Sequence, residues 1–390
     1  PFTGFSTLDF ISCFASTYVY LEKIPLSSGD DRCANFRGES CNSCGNCRTS
    51  DPTYDLQPYH FLFDTMSGRS ALRLRFDGGQ TEMQKRIGET EEDGFGTDYT
   101  VEFSFGFAGY EYQNVTVADD FKAAIVASVD AGIPVIAKVS GNNGRFRVII
   151  GYDGDELICP SFTNAKQRPD IVPTYDDLDS LYIIGEKTAS RYTVKDGLER
   201  ICEVMEYNNT EGFLKDYILH LGWYSNGKDN MERVDADGRR ERMQRVADTM
   251  WYTFNCHNFA QVFREICMGK TTYDVISDMK KLHTPDIKEL CGKIGGNYYG
   301  YTHDLAWALI GLNERVQENW NSVYACGWAE MVELVLKKID SNDVAVLEAI
   351  KKIIDILFHR VASLPSSSRF SILSFIKPLS FHHRRKSAIR

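Results

Sequence analysis

The sequence predicts an α+β fold, with helices and an antiparallel sheet in its first half and only helices in its second. Three observations predict it. Asp130 to Pro160 reads as strands joined by tight turns. From Tyr192 onward the apolar residues recur at helical spacing. The 390 residues are 43% hydrophobic and 25% charged, as in a soluble globular protein with room for two cores. The expected organisation is an α+β unit over residues 1–190, a helical unit over 191–360 and a disordered basic tail over 361–390.

The sheet is the clearest feature. Ile133 to Val139 is an apolar, β-branched run behind Gly132, and Gly141-Asn142-Asn143-Gly144 is turn chemistry, because Gly and Asn tolerate positive φ. Arg145 to Tyr152 resumes with Phe146, Val148 and Ile150 on one face. Asp153-Gly154-Asp155 turns again, Glu156 to Cys159 returns, and Pro160 ends the strand because it has no N–H to donate. Leu181 to Gly185 is a further short buried strand. Ahead of the sheet, Asp119 or Asp120 caps a helix through Ala131, with Phe121, Ile125 and Val129 on one face and Gly132 as its stop.

Earlier in the chain the reading is mixed. Phe10 to Glu22 reads as a buried helix with Cys13 in its first turn, and a strand competes because Thr17 to Tyr20 is β-rich. A helix N-terminus there would stabilise a thiolate, whereas the simpler alternative is a small buried hydrophobe. Tyr59 to Arg75 begins with a strand-like FLFD run, turns at Gly68 and then alternates Arg69, Arg73 and Arg75 with Leu72, Leu74 and Phe76, an anion-binding or solvated strand face, and Tyr99 to Phe107 alternates as another strand. Gln80 to Ile87 reads as a short helix and Glu89 to Asp98 as a loop.

Asp30 to Pro52 carries the most specific spacing. Cys33, Cys41, Cys44 and Cys47 lie in one polar, glycine-bearing loop, and the last three are two residues apart. That spacing lets thiolates converge on one ion, so a closed structural zinc site is one expectation. An iron–sulfur cluster is another, with the fourth cysteine upstream, and disulfides or free thiols are a third. A four-thiolate site would fasten a loop that has no core of its own.

In the second half, Leu198, Ile201, Cys202 and Met205 form one stripe. Longer helical patterns run over Glu241 to Met268, Asp304 to Trp320, Ser322 to Ile339 and Asp343 to His359, as in a packed bundle. Cys256-His257, His283 and His303 lack companion ligands and read as packing. No apolar run reaches about 18 residues, so no transmembrane segment is expected. The net charge of −10 argues against nucleic-acid partners. Eleven cysteines, mostly scattered singly, suit a reducing cytoplasmic location.

Taken together, an early Cys13, then GIPVIAKV, then the V-I-I-G-Y-D strand and a strand ending in Pro resemble papain-like folds of the double-glycine peptidase type. The branch represented by the N-terminal domain of butirosin biosynthesis protein H, an acyl-transfer enzyme, is similar over residues 5–190 and also carries an LYIIG-like strand. The resemblance implies a Cys nucleophile, a His general base and an orienting Asn or Asp, acting on a peptide or an acyl-carrier thioester. Cys13 matches the nucleophile. The histidine's place holds Arg145-Phe146-Arg147, the orienting acid's place holds Cys159, and the oxyanion glutamine's place holds Thr7. Arginine stays protonated and cannot serve as a base, so Arg145 is expected to hold a Cys13 thiolate or a substrate carboxylate. The triad is degenerate. Such a protein either binds without cleaving or transfers acyl groups through Cys13 alone, and the cysteine loop would be an insertion in the family pattern.

Overall fold

The computed structural model describes residues 9–25, 53–72, 98–140, 146–159, 174–213 with 215, 258–298 and 324–362. The expected α+β class holds: helices pack around a small antiparallel sheet.

The first element among the described residues is α1 (Phe10–Leu21), a helix rather than a strand. Ten consecutive residues from Phe10 to Val19 are buried, which outweighs the β-propensity of Thr17 to Tyr20. α2 (Thr53–Met66) replaces the strand expected at Tyr59. Its buried Leu56, Tyr59, Leu62, Phe63 and Met66 fall at helical spacing, a period that FLFD alone is too short to display. Arg69–Ala71 is a 3-10 turn after the left-handed Gly68, not a strand.

α3 (Asp98–Ala108) is the second correction. Its alternating Val101, Phe103, Phe105 and Phe107 are all buried, but so are Thr100, Ser104 and Ala108. A helix buried on nearly every side shows no helical stripe, and chance alternation then reads as strand. Its one exposed position among the residues from Tyr99 onward, Glu102, accepts a hydrogen bond from the Tyr192 hydroxyl at 2.9 Å.

The sheet has the order β1 (Tyr110–Val115), β6 (Leu178–Lys187), β2 (Val135–Val139) and β3 (Phe146–Ile149), antiparallel throughout. β4 (Gly151–Asp153) and β5 (Glu156–Ile158) form a separate hairpin around Gly154, φ +61°. α4 (Phe121–Asp130) follows a 3-10 turn at Ala118–Asp120, and no side chain caps it. Gly132 stops it as expected, at φ +77°, with its N–H on the Val129 carbonyl at 2.8 Å.

The period-two alternation of the strands separates two apolar faces. Ile136, Phe146, Val148, Tyr182 and Ile184 face the cluster that contains α1, whereas Val135, Ala137, Ile149 and Leu181 face Phe121 and Ile125 of α4.

Beyond the sheet, α5 (Val194–Glu211) begins at a capping box, Thr193 with Asp196, and stops at the left-handed Gly212. Leu198, Ile201, Cys202 and Met205 are buried, as the stripe required. α6 (258–267) is the described end of the helix expected over Glu241 to Met268, and α7 (285–298) follows two 3-10 turns. α8 (Tyr324–Ala362) is one continuous helix where two were expected, with Asp340 to Asn342 inside it. The Asn342 amide donates to the Asn297 carbonyl at 3.0 Å, and the buried Asp343 carboxylate accepts from Tyr298, so polar residues that resemble a break are held by α7. The helices expected at Gln80 to Ile87 and Asp304 to Trp320, the loop at Glu89 to Asp98 before α3, and most of the basic tail lie outside the described residues.

The boundary expected near residue 190 falls in the short connection between β6 and α5, and one apolar cluster runs across it from Phe10 to Ile353. α2 and α5 cross closely at Gly197, where an added Cβ would stand 3.0 Å from the Met66 carbonyl oxygen. Gly197→Ala would gain about 1 kcal/mol of helix propensity, but a backbone atom cannot give way cheaply, and overpacking costs about 1–3 kcal/mol. A lower denaturant midpoint is expected. An unchanged or higher midpoint would mean that the crossing is looser than this distance implies.

Candidate functional site

Asp9 precedes α1 and sets the site. Its backbone is extended, and its carboxylate accepts the Ser12 N–H at 2.7 Å, satisfying one of the free donors of the first turn. The Cys13 N–H then makes the first helical hydrogen bond to the Asp9 carbonyl, at 3.2 Å. The sequence reading therefore located Cys13 correctly in the first turn of a helix. It missed the carboxylate that occupies the same helix end.

The other Asp9 oxygen meets Arg69 Nη1 at 3.1 Å, and the same nitrogen meets Asp64 Oδ1 at 3.2 Å. His60 Nε2 stands 3.8 Å from Asp9. Both carboxylates are buried. Arg69, expected on an anion-binding or solvated strand face, instead bridges α1 to α2 from inside the protein. Burial opposes ionisation of Asp9, yet Arg69, His60 and a hydrogen bond from the Ser12 side chain together hold its carboxyl far below the usual carboxylate range. Asp64 goes the other way. Burial raises its pKa, Arg69 and His60 offset only part of that, and the neighbouring Asp9 charge adds to the rise, against a hydrogen bond from Asn258.

Cys13 is 3% exposed. Burial pushes its thiol pKa well up, the Asp9 carboxylate pushes it further, Arg147 works against the rise and Cys159 adds to it. A papain-type nucleophile uses the positive end of its helix to hold a thiolate. Here a carboxylate already occupies that end.

Two more positions of the family pattern come within electrostatic reach of Cys13. Arg147 stands on β3 and Cys159 just after β5. Both are half-buried. In β3, Phe146 and Val148 face the α1 side and Phe146 meets the Phe10 ring edge-on at 5.7 Å, so Arg147 alternates to the other face of this strand. Arg145 and Thr7 lie outside the described residues, as do Cys33, Cys41, Cys44 and Cys47. Among the described residues, no three His, Cys, Asp or Glu side chains gather as a metal site. His283 pairs with Asp274 at 2.8 Å across the 3-10 turns, and Cys256-His257 and His303 lie outside the described residues. No helix among the described residues is long and apolar enough to cross a membrane.

His60 on α2 is the described histidine nearest to the Asp9–Arg69–Asp64 group. It stands against Asp9 and Asp64, and the charges that act on Cys13 come from Asp9, Arg147 and Cys159. The Asp9–Arg69–Asp64 group was missed altogether, because 60 residues separate Asp9 from Arg69 and no spacing rule connects them. The one local signal was an aspartate directly before an apolar helical run, a common N-cap pattern.

No family model, no curated protein and no solved structure matches this chain.

Proposed function

We propose that this chain is a degenerate relative of the papain-like cysteine peptidases and acyltransferases, in which Cys13 is a core thiol and the unit binds a peptide or acyl-carrier partner without cleaving it. The burial of Cys13 behind the Asp9 carboxylate carries the reading. A nucleophile must present a thiolate to its substrate, and this thiol is enclosed and held protonated by its surroundings. An arginine near the place of the general base adds to the case, because it has no proton to accept. Losing general-base assistance alone would cost about 10²–10⁴-fold in rate.

The test is the alkylation rate of Cys13 against pH, followed by peptide mass spectrometry in the folded and the denatured protein. Labelling in the folded protein should be at least about 100-fold slower than in the denatured chain, since it must wait for local opening. It should fall further as the pH drops below the ordinary thiol range. Rapid labelling that persists near about pH 6 would reveal an activated thiolate and overturn the reading. An acyl adduct on Cys13 after incubation with an acyl thioester would overturn it too, in favour of acyl transfer through Cys13.

A further inference from the structure

α6 and α7 cross at glycines. A Cβ built on Gly295 would stand 3.3 Å from the Arg264 Cα and the Arg264 nitrogen, so the two helices nearly touch through their backbones. Three residues earlier on α7, a Cβ on Gly292 would stand 2.9 Å from Cys267 Sγ and 3.9 Å from Cys267 Cβ. The Cys267 sulfur therefore occupies the space that a side chain at position 292 would fill. The residue before that glycine is Cys291. Both cysteines are free, Cys267 exposed at the end of α6 and Cys291 fully buried in α7.

A disulfide requires two Cα atoms about 4.4–6.8 Å apart with their Cβ atoms turned toward each other. The close approach of α6 and α7 at Gly292 and Gly295 lets residues at the crossing come within that range. We propose that Cys267 and Cys291 form a reversible redox pair, in which exposed Cys267 meets the oxidant and Cys291 resolves it into a disulfide that ties α6 to α7. The Cys291 thiol is pushed up to about 12, first by burial and then by the charge of Cys267, which places the two sulfurs in mutual electrostatic range. A thiol so raised is rarely a thiolate near neutral pH, so the resolving attack by Cys291 should be slow and should quicken as the pH rises.

With glutathione disulfide as oxidant, the Cys267 thiolate attacks one of its sulfurs and one glutathione thiolate leaves. The Cys291 sulfur, giving up its proton, then attacks the Cys267 sulfur of the mixed disulfide and expels the second glutathione. The two protein thiols lose two electrons and two protons, and glutathione disulfide is reduced to two glutathiones. The exposed Met268 beside Cys267 makes peroxide a poorer probe, because a thioether takes up oxygen as well.

The full-length protein is incubated with glutathione disulfide, blocked with an alkylating agent and digested without reductant. A peptide joining Cys267 to Cys291 is expected, lighter by two hydrogens than the reduced pair and released by dithiothreitol. It should be absent in Cys267→Ser, and Cys291→Ser should stop at the glutathione adduct on Cys267. Wild-type protein that also stops at that adduct, with Cys291 still alkylated after denaturation, would overturn the proposal. So would Cys267 joined to any other cysteine.

Discussion

Replacing Asp9 by alanine is expected to destabilise the protein by about 3–5 kcal/mol, a large share of the ~5–15 kcal/mol typical of a folded domain. The substitution removes a helix cap, worth about 1 kcal/mol, and takes one of two carboxylates from the half-buried Arg69. Asp9→Asn separates these losses. It retains an oxygen for the Ser12 N–H but not the charge, so it should recover only the capping part. Denaturant midpoints measure both, and an alanine variant within 1 kcal/mol of wild type would mean that Asp64 alone satisfies Arg69.

The pH dependence follows from opposite signs at the two carboxylates. The carboxyl of Asp9 is held below its unfolded value, near about 3.9, so its contribution is complete above that pH and is lost as the pH falls toward the folded value. Asp64 is raised, so the folded protein keeps that proton more tightly. Its contribution favours folding at low pH and fades as the pH rises through the folded value. Wild type should therefore lose stability below about pH 4 with Asp9 as the driver, and Asp9→Asn should flatten that limb. An Asp9→Asn curve parallel to wild type would place the acid-labile group elsewhere. Cys13 supplies a second readout. Losing the Asp9 charge and the cap at the start of α1 should make local opening more frequent, so Cys13 alkylation should be faster with its pH profile unchanged, because the thiol reacts in the opened, solvated state.

Phe14→Ala is the second large effect. The ring of Phe14 meets Phe63 and Phe105 edge-on at 4.8 Å each and stacks on Phe10 at 5.7 Å. Truncating a buried phenylalanine to alanine costs about 3–5 kcal/mol, and the edge-on geometry adds to what area alone would give. Chemical denaturation should show the midpoint falling accordingly, with Phe14→Leu recovering most of the loss. A cost under about 2 kcal/mol would mean that α1, α2 and α3 close over the space.

Some of this was legible in the sequence because the determinants are local. Gly132 and Gly154 adopt positive φ where the turns required it, and the strands between them alternate cleanly because each face meets a different helix layer. α5 was legible from its stripe, and its Thr193–Asp196 box and Gly212 mark its ends. α3 was illegible for the opposite reason: a helix surrounded by protein leaves no polar face to betray its period. Cys13 was located in its helix by local pattern, but its chemistry was not legible. Whether a thiol at a helix start is activated depends on which charge shares that end and how much protein covers it. Here the answer lies in Arg69 and Asp64, far along the chain from Asp9.

The apolar cluster that unites α1 with α6 and α7 has a consequence during synthesis. The Tyr59 hydroxyl donates to the Thr272 carbonyl, 213 residues downstream, and the partners of Phe14 and Tyr18 are packed by the same cluster. At about 5–20 residues per second, a ribosome needs roughly 10–40 s to cover that interval. Throughout it, a segment bearing Phe10, Phe14 and Tyr18 waits without part of its cover. Contacts so distant close slowly, and the loop entropy must be met before they contribute. The nascent α1 therefore keeps apolar surface uncovered through that interval, and the chain reaches its native core only after its helical half has emerged.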